Sequence, residues 1–286
     1  HLSIRRQRQM CIRDSRLVVA RWRGIPSGWR TRAWFGVRWL SRYPYGGPIM
    51  PITNTSQGRA LGVRPAGTPL SSALSGTIRV MCIGDPITMG FGLVAGDSYR
   101  CALIARCAAH GLTVDFIGAR TNGACSDNEH NAVSGWTIAN QNADVGARFG
   151  VLPHVIIIHL GTNDFIAGGD GLAAMATFLG TLYALAPVAR VVVCAPHGHR
   201  TTSVDARART FEAGIAATCA ASAYGIAGLI ATVLLTAKLV HYVSPAGVEA
   251  TGELVDAVHP REASFALITD AIWPVFLNAC GLNADW

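Results

Sequence analysis

Lysine is almost missing from this sequence: Lys238 stands alone against 23 arginines. With alanine and glycine abundant, the skew reads as coding bias rather than as a binding signal. A membrane-length apolar run is also missing. The most apolar stretch, residues 226–240, falls short of the ~20 residues that a spanning helix needs. It reads better as a buried strand with its flanks. The eight cysteines include no C-x-x-C pair and no neighbouring histidine cluster, which argues against zinc. Cys82, Cys101, Cys107, Cys125, Cys194, Cys219 and Cys280 are scattered along the main body, mostly in apolar runs. Buried free thiols are the expectation there, and one or two disulfides are left open if the protein is exported. The start of the chain lacks the charged, apolar and small-residue succession of a signal peptide.

The charge is unevenly spread. The formal net charge is +7, but residues 1–50 hold eleven arginines and one acid, Asp14, whereas the rest carries a slight acidic excess. The body therefore offers no phosphate-binding surface. The basic segment itself lacks helical or strand period. Residues 6–14, RQRQMCIRD, read like translated sequencing adapter, and 1–50 as an artefactual or disordered basic leader, with Met50 as the natural start. A basic arm for nucleic acid or a membrane is the competing reading. Residues 51–76 are rich in Ser, Thr, Pro and Gly and read as a flexible lead-in. Residues 77–286 are the expected folded domain.

In that domain, apolar runs of strand length alternate with longer amphipathic segments. Strands are predicted over 78–83, 113–118, 154–160, 190–195 and 228–235. Helices are predicted over 98–110, 171–186, 205–224 and 261–278. Strands such as 155–160, VIIIHL, lack in/out alternation, as in a parallel sheet covered on both faces. The expected fold class is α/β, a three-layer α/β/α sandwich around a mainly five-stranded parallel sheet of flavodoxin-like type. Function gathers at the carboxyl ends of such strands.

Three short motifs fall at those ends or just beyond them, Gly84-Asp85-Pro86-Ile87-Thr88, Ser134-Gly135-Trp136-Thr137-Ile138 and Gly161-Thr162-Asn163-Asp164, and a fourth, Asp256-Ala257-Val258-His259-Pro260, comes just before the last predicted helix. Each alone is weak. Asn and Asp favour turns and caps whatever the function, and an Asp and a His three apart are common in surface loops. Asp85 and Asp164 read as structural, bonding nearby backbone donors, and His159 as a core histidine.

Taken in order, the motifs resemble the four blocks of the SGNH/GDSL hydrolase superfamily, over about residues 77–278. Within it, the chain is most similar to carbohydrate esterase family three, the acetylxylan esterase-like group. The segments carrying this are Val114-Asp115-Phe116-Ile117-Gly118 with Thr121-Asn122-Gly123, His130 through Ile138 (HNAVSGWTI), His159 through Asp164 (HLGTND), and Tyr99-Arg100. The chain departs from the family pattern at Ser98, Asn131, Ala132, Val133 and Ala257.

The resemblance implies an ester hydrolase. His259 would be general base and acid, oriented by Asp256. Asn163 and the backbone N–H of Gly135 would form the oxyanion hole. Trp136 either walls the substrate pocket or packs in the core. It implies no metal and no organic cofactor. The expected partner is a small-molecule or carbohydrate ester, with no nucleic acid and no membrane, and secretion is the family's habit. One departure is decisive: Pro86 stands where the family has its nucleophilic serine. It has no hydroxyl and no backbone N–H. Thr88 and Ser98 are badly placed to substitute. Two readings follow: a serine esterase altered at one codon by error or recent loss, or a non-catalytic carbohydrate-binding pseudoenzyme.

Overall fold

The computed structural model describes residues 73–93, 97–197, 199, 202–234, 254, 256 and 258–282. The leader 1–50, most of the lead-in, Ala257 and the end of the apolar stretch beyond residue 234 lie outside the described residues.

Among these, chain order runs β1 (Ile78–Gly84), α1 (Pro86–Met89), α2 (Tyr99–Ala109), β2 (Val114–Phe116), β3 (Arg120–Thr121), β4 (Glu129–Ala132), α3 (Ile138–Asp144), β5 (Val155–His159), α4 (Thr162–Ile166), α5 (Leu172–Leu185), β6 (Arg190–Ala195), α6 (Thr202–Ala221), α7 (Ala223–Ile226), β7 (Ile230–Leu234) and α8 (Glu262–Ala279). Strand β1 anchors the sheet. One edge pairs with β5, Val80 opposite Val155. The other edge is shared: β2 takes its first half, Ile78 opposite Val114, and β4 its last two residues, Ile83 opposite Asn131. Strands β6 and β7 extend the sheet beyond β5, all in parallel. The predicted parallel core is therefore present, but the sheet has seven strands, because β3 and β4 add an antiparallel ladder. These two are too short and too polar, Arg120-Thr121 and Glu129-His130-Asn131-Ala132, to register as apolar runs.

Successive strand residues face opposite layers. Val155 and Ile157 pack with α2 and α8, whereas Ile156 and Ile158 pack with α3, α5 and α6. Both sets are fully buried, which is why β5 shows no polar alternation. Helix α2 buries Tyr99, Leu103 and Cys107, four apart on one face. Helix α6 does the same with Phe211, Ile215 and Cys219. The predicted helix 205–224 starts earlier and divides at Ser222, whose hydroxyl accepts from Gly225 N and caps α7.

Cys101 and Cys125 form a disulfide, while Cys82, Cys107, Cys194, Cys219 and Cys280 are free and buried. Asp97 sits beside the bonded pair in a metal-like grouping, but the two sulfurs are already joined to each other. Among the described residues, no helix is long and apolar enough to cross a membrane.

Candidate active site

Strand β1 ends on Gly84, where a Cβ would lie 2.0 Å from the Thr88 hydroxyl, so only glycine lets the chain turn this tightly into α1. Asp85 caps that helix, its Oδ1 accepting from Ile87 N at 3.0 Å. Pro86 occupies the first helical position. Its fixed φ suits that position, and the N–H it lacks has no partner within a helix anyway. Proline is therefore seated here without backbone conflict. Gly90, at φ 89°, ends the helix, and Phe91 N donates to the Pro86 carbonyl at 2.9 Å. Thr88 is turned away, its hydroxyl bonded to Tyr99 OH at 3.1 Å. Ser98 is occupied as the N-cap of α2.

The second motif leads into α3. Gly135 is exposed and has φ 77°, a conformation that favours glycine. Trp136 is half-buried, and the Arg148 guanidinium lies over its ring at 4.7 Å. Thr137 and Asn140 close a capping box. Asp164 reaches across from α4 to accept from Ile138 N at 3.0 Å. Burial raises the Asp164 carboxyl above the usual range, partly offset by that bond.

The third motif is drawn onto the second. Asn163 Nδ2 donates to the Trp136 carbonyl at 2.9 Å, which places the amide beside Gly135 and leaves its second N–H for another acceptor. The preceding Thr162 faces Asp85 and helps stabilise its charged form, though neither Thr162 Oγ1 nor Asp85 Oδ2 completes a well-formed hydrogen bond. Burial dominates at Asp85 and pushes its carboxyl up to about 7, against the lowering effects of Ile87 N–H, Thr162 and His259.

The fourth motif folds on itself. Asp256 Oδ1 accepts from the backbone N–H groups of Val258 and His259 at 2.7 and 2.8 Å, and Oδ2 lies 2.8 Å from His259 Nδ1. Partial burial opposes ionisation of Asp256, but the His259 side-chain and backbone bonds and the Val258 N–H outweigh it. They hold the carboxyl well below the usual range. An ionised carboxylate only accepts, so Nδ1 carries the hydrogen and Nε2 of the neutral ring is left with a free lone pair. The His259 ring rests on Phe91, centroids 4.8 Å apart, and the Phe91 N–H is the one that donates to the Pro86 carbonyl. His259 also acts on Asp85 electrostatically. The structure thus joins Asp256 to His259 and Asn163 to the Gly135–Trp136 turn, and brings His259 and Thr162 within electrostatic reach of Asp85.

Sequence reasoning missed Phe91 and the two histidines that follow β6. His197 is 4% exposed and His199 9%. Both feel the charges of Asp256 and His259. Their position just past a strand's carboxyl end was the available signal. His159 is fully buried at the end of β5, and burial, then His197, brings its ring down to about 3.

The GDSL-like Lipase/Acylhydrolase family model matches residues 82–265. Among solved structures, the chain is similar to a family 3 carbohydrate esterase of Clostridium thermocellum. That match has 21% identity and TM-score 0.59, covering 72% of this chain and 100% of the other. It is also similar to a family 3 carbohydrate esterase of Talaromyces cellulolyticus, with 19% identity and TM-score 0.57, covering 71% and 98%. A lipolytic G-D-S-L family protein of Veillonella parvula matches with 16% identity and TM-score 0.53, covering 70% and 98%. At these identities, the structural likenesses speak for the fold. Among curated proteins, none matches the sequence.

Proposed function

Starting from a chain that belongs to the GDSL-like lipase/acylhydrolase family, and is by family an ester hydrolase, we propose that its site is that of a serine esterase for acetyl groups on xylan-like carbohydrate. We propose further that Pro86 leaves it inactive as it stands. The observation that carries the reading is the Asp256–His259 pair, closed at 2.8 Å, with the His259 ring against Phe91. The likeness to two family 3 carbohydrate esterases and the segment 130–138 support the carbohydrate ester.

With serine at position 86, its hydroxyl would attack the ester carbonyl while His259 Nε2 takes the proton. The carbonyl oxygen would gain negative charge and accept from the free N–H of Asn163 and the N–H of Gly135. The protonated imidazole, held by Asp256, would then give its proton to the departing sugar oxygen. Water, deprotonated by the same Nε2, would release acetate and restore the serine. No step needs a metal or a cofactor. With proline there is no attacking oxygen, and the turn at residue 86 has one N–H fewer to offer.

The test is Pro86→Ser in the full chain. Hydrolysis of a short-chain aryl acetate should appear, and His259→Ala in that background should abolish it. A folded serine form that is inert on acetyl esters would sink the proposal. The strain-free seat of Pro86 at the start of α1 favours the second reading, a carbohydrate-binding pseudoenzyme. Calorimetric titration of the unaltered chain with xylo-oligosaccharides decides it: measurable heat supports binding without cleavage, and none rules it out for that ligand.

A further inference from the structure

His197 lies directly beneath the loop that carries His259. Its Nε2 is 2.8 Å from the Val258 carbonyl oxygen. A carbonyl only accepts, so Nε2 holds the hydrogen, and a neutral ring then has a bare Nδ1. The ring is neutral at working pH: burial, with the His199 and His259 charges, brings it down to about 4 against the Val258 bond and Asp256. His159 lies alongside on the sheet, nearly parallel at 8° with centroids 6.3 Å apart, and is itself held neutral.

The Val258 carbonyl and the His259 N–H belong to one rigid peptide plane. The N–H end of that plane donates to Asp256 Oδ1 at 2.8 Å. The carbonyl end is taken by His197. The backbone from which the His259 imidazole projects is thus clamped at both ends, while Asp256 Oδ2 takes the ring itself. A histidine that merely filled space would need no proton aimed at the catalytic loop.

We propose that His197 is a positioning residue for the esterase reaction: its Nε2–H fixes the Val258–His259 peptide plane and so sets the direction of the catalytic imidazole. The inference rests on the esterase reading for its consequence, but its geometry is testable without any activity.

The experiment is nuclear magnetic resonance of the full chain, Pro86 retained, with histidines labelled with nitrogen-15. The unaltered protein should show His197 protonated on Nε2 and bare on Nδ1. It should also show a slowly exchanging Nδ1–H of His259, bonded to Asp256. His197→Phe should speed exchange of that proton about tenfold or more, whereas His197→Gln, whose amide can donate to the same carbonyl, should restore slow exchange. In the Pro86→Ser background, His197→Phe should lower kcat about tenfold to hundredfold, the scale on which small misplacements act, with KM little changed and His197→Gln recovering most of the loss. A proton on Nδ1 of His197 would overturn the proposal, with no variant needed. So would an unchanged His259 Nδ1–H signal in a folded His197→Phe protein. An inert Pro86→Ser enzyme with the expected exchange pattern would count against the esterase reading and leave the clamp standing.

Discussion

In the proposed esterase, a single side chain at position 86 separates the candidate hydrolytic residues from a working set. Pro86 fits the first turn of α1 because that turn does not use its N–H, so proline sits there without disturbing the fold. Pro86→Ser should therefore change thermal stability little while restoring hydrolysis. In that serine form, Asn163→Ala should cost ~10²–10³ in kcat, the usual effect of one oxyanion donor, measured by steady-state kinetics on an aryl acetate. Part of the loss would come from freeing the Trp136 carbonyl that Asn163 holds.

Asp85 makes a second prediction. Its folded-state carboxyl is pushed up to about 7, mainly by burial, whereas an unfolded aspartate titrates near 3.9. Between those values the folded chain holds a proton that the unfolded chain has lost. Linkage then makes stability fall as pH rises from about 4 to about 7. Asp85→Asn keeps a capping oxygen for Ile87 N and removes the titration, so it should flatten that decline. Urea unfolding at several pH values across the window measures it; an unchanged slope would mean that Asp85 is ionised in the fold.

Among the elements, the α1 turn is held from behind by a buried arginine. Arg100 Nε donates to the Thr88 carbonyl at 2.9 Å, and its terminal nitrogens donate to the carbonyls of Asn128, at 2.9 Å, and Asn122, at 2.7 Å. Asn122 in turn donates to the Met89 carbonyl at 2.7 Å. Helix α2, the α1 turn and the β3–β4 connection are thereby one unit. Arg100→Met strands buried carbonyls, each costing ~1–3 kcal/mol, so destabilisation by at least about 3 kcal/mol is expected. Lysine should rescue poorly, because a point charge cannot reach several fixed acceptors as the planar guanidinium does. The Cys101–Cys125 bond closes a loop over a separation of 24 residues in the same unit. By loop entropy, replacing both cysteines with alanine should lower stability by about 3 kcal/mol, read as a drop in the urea midpoint.

Across the whole molecule, the sheet separates two cores, one under α2 and α8, the other under α3, α5 and α6. The turns carrying residues 85–86 and 161–164 follow β1 and β5 directly. Phe178 is fully buried in the second core, far in sequence from any motif. Phe178→Ala should destabilise by ~3–5 kcal/mol, measured by chemical unfolding, and in the serine form should leave KM near its original value below the melting range. A selective loss of substrate binding would show that this core shapes the site directly.

Strands β5 and β6 and the four long helices were legible because burial on both faces writes unbroken apolar runs, and burial on one face writes a 3.6-residue period. The short pieces α1, α3, α4, β3 and β4 were not, since a single turn or a two-residue ladder carries too few residues for any period. The candidate site residues Pro86, Gly135, Asn163, Asp256 and His259 could be named from the likeness of four ordered motifs to a family's blocks. Their assembly could not. That Asn163 grips the Trp136 carbonyl, that the His259 ring lies on Phe91, that Cys101 finds Cys125 and that His197 meets Val258 depend on which loops the sheet order brings together. Sequence determines local periodicity and chemical identity; contacts between residues dozens of positions apart are decided only when the packed layers fix where each strand ends.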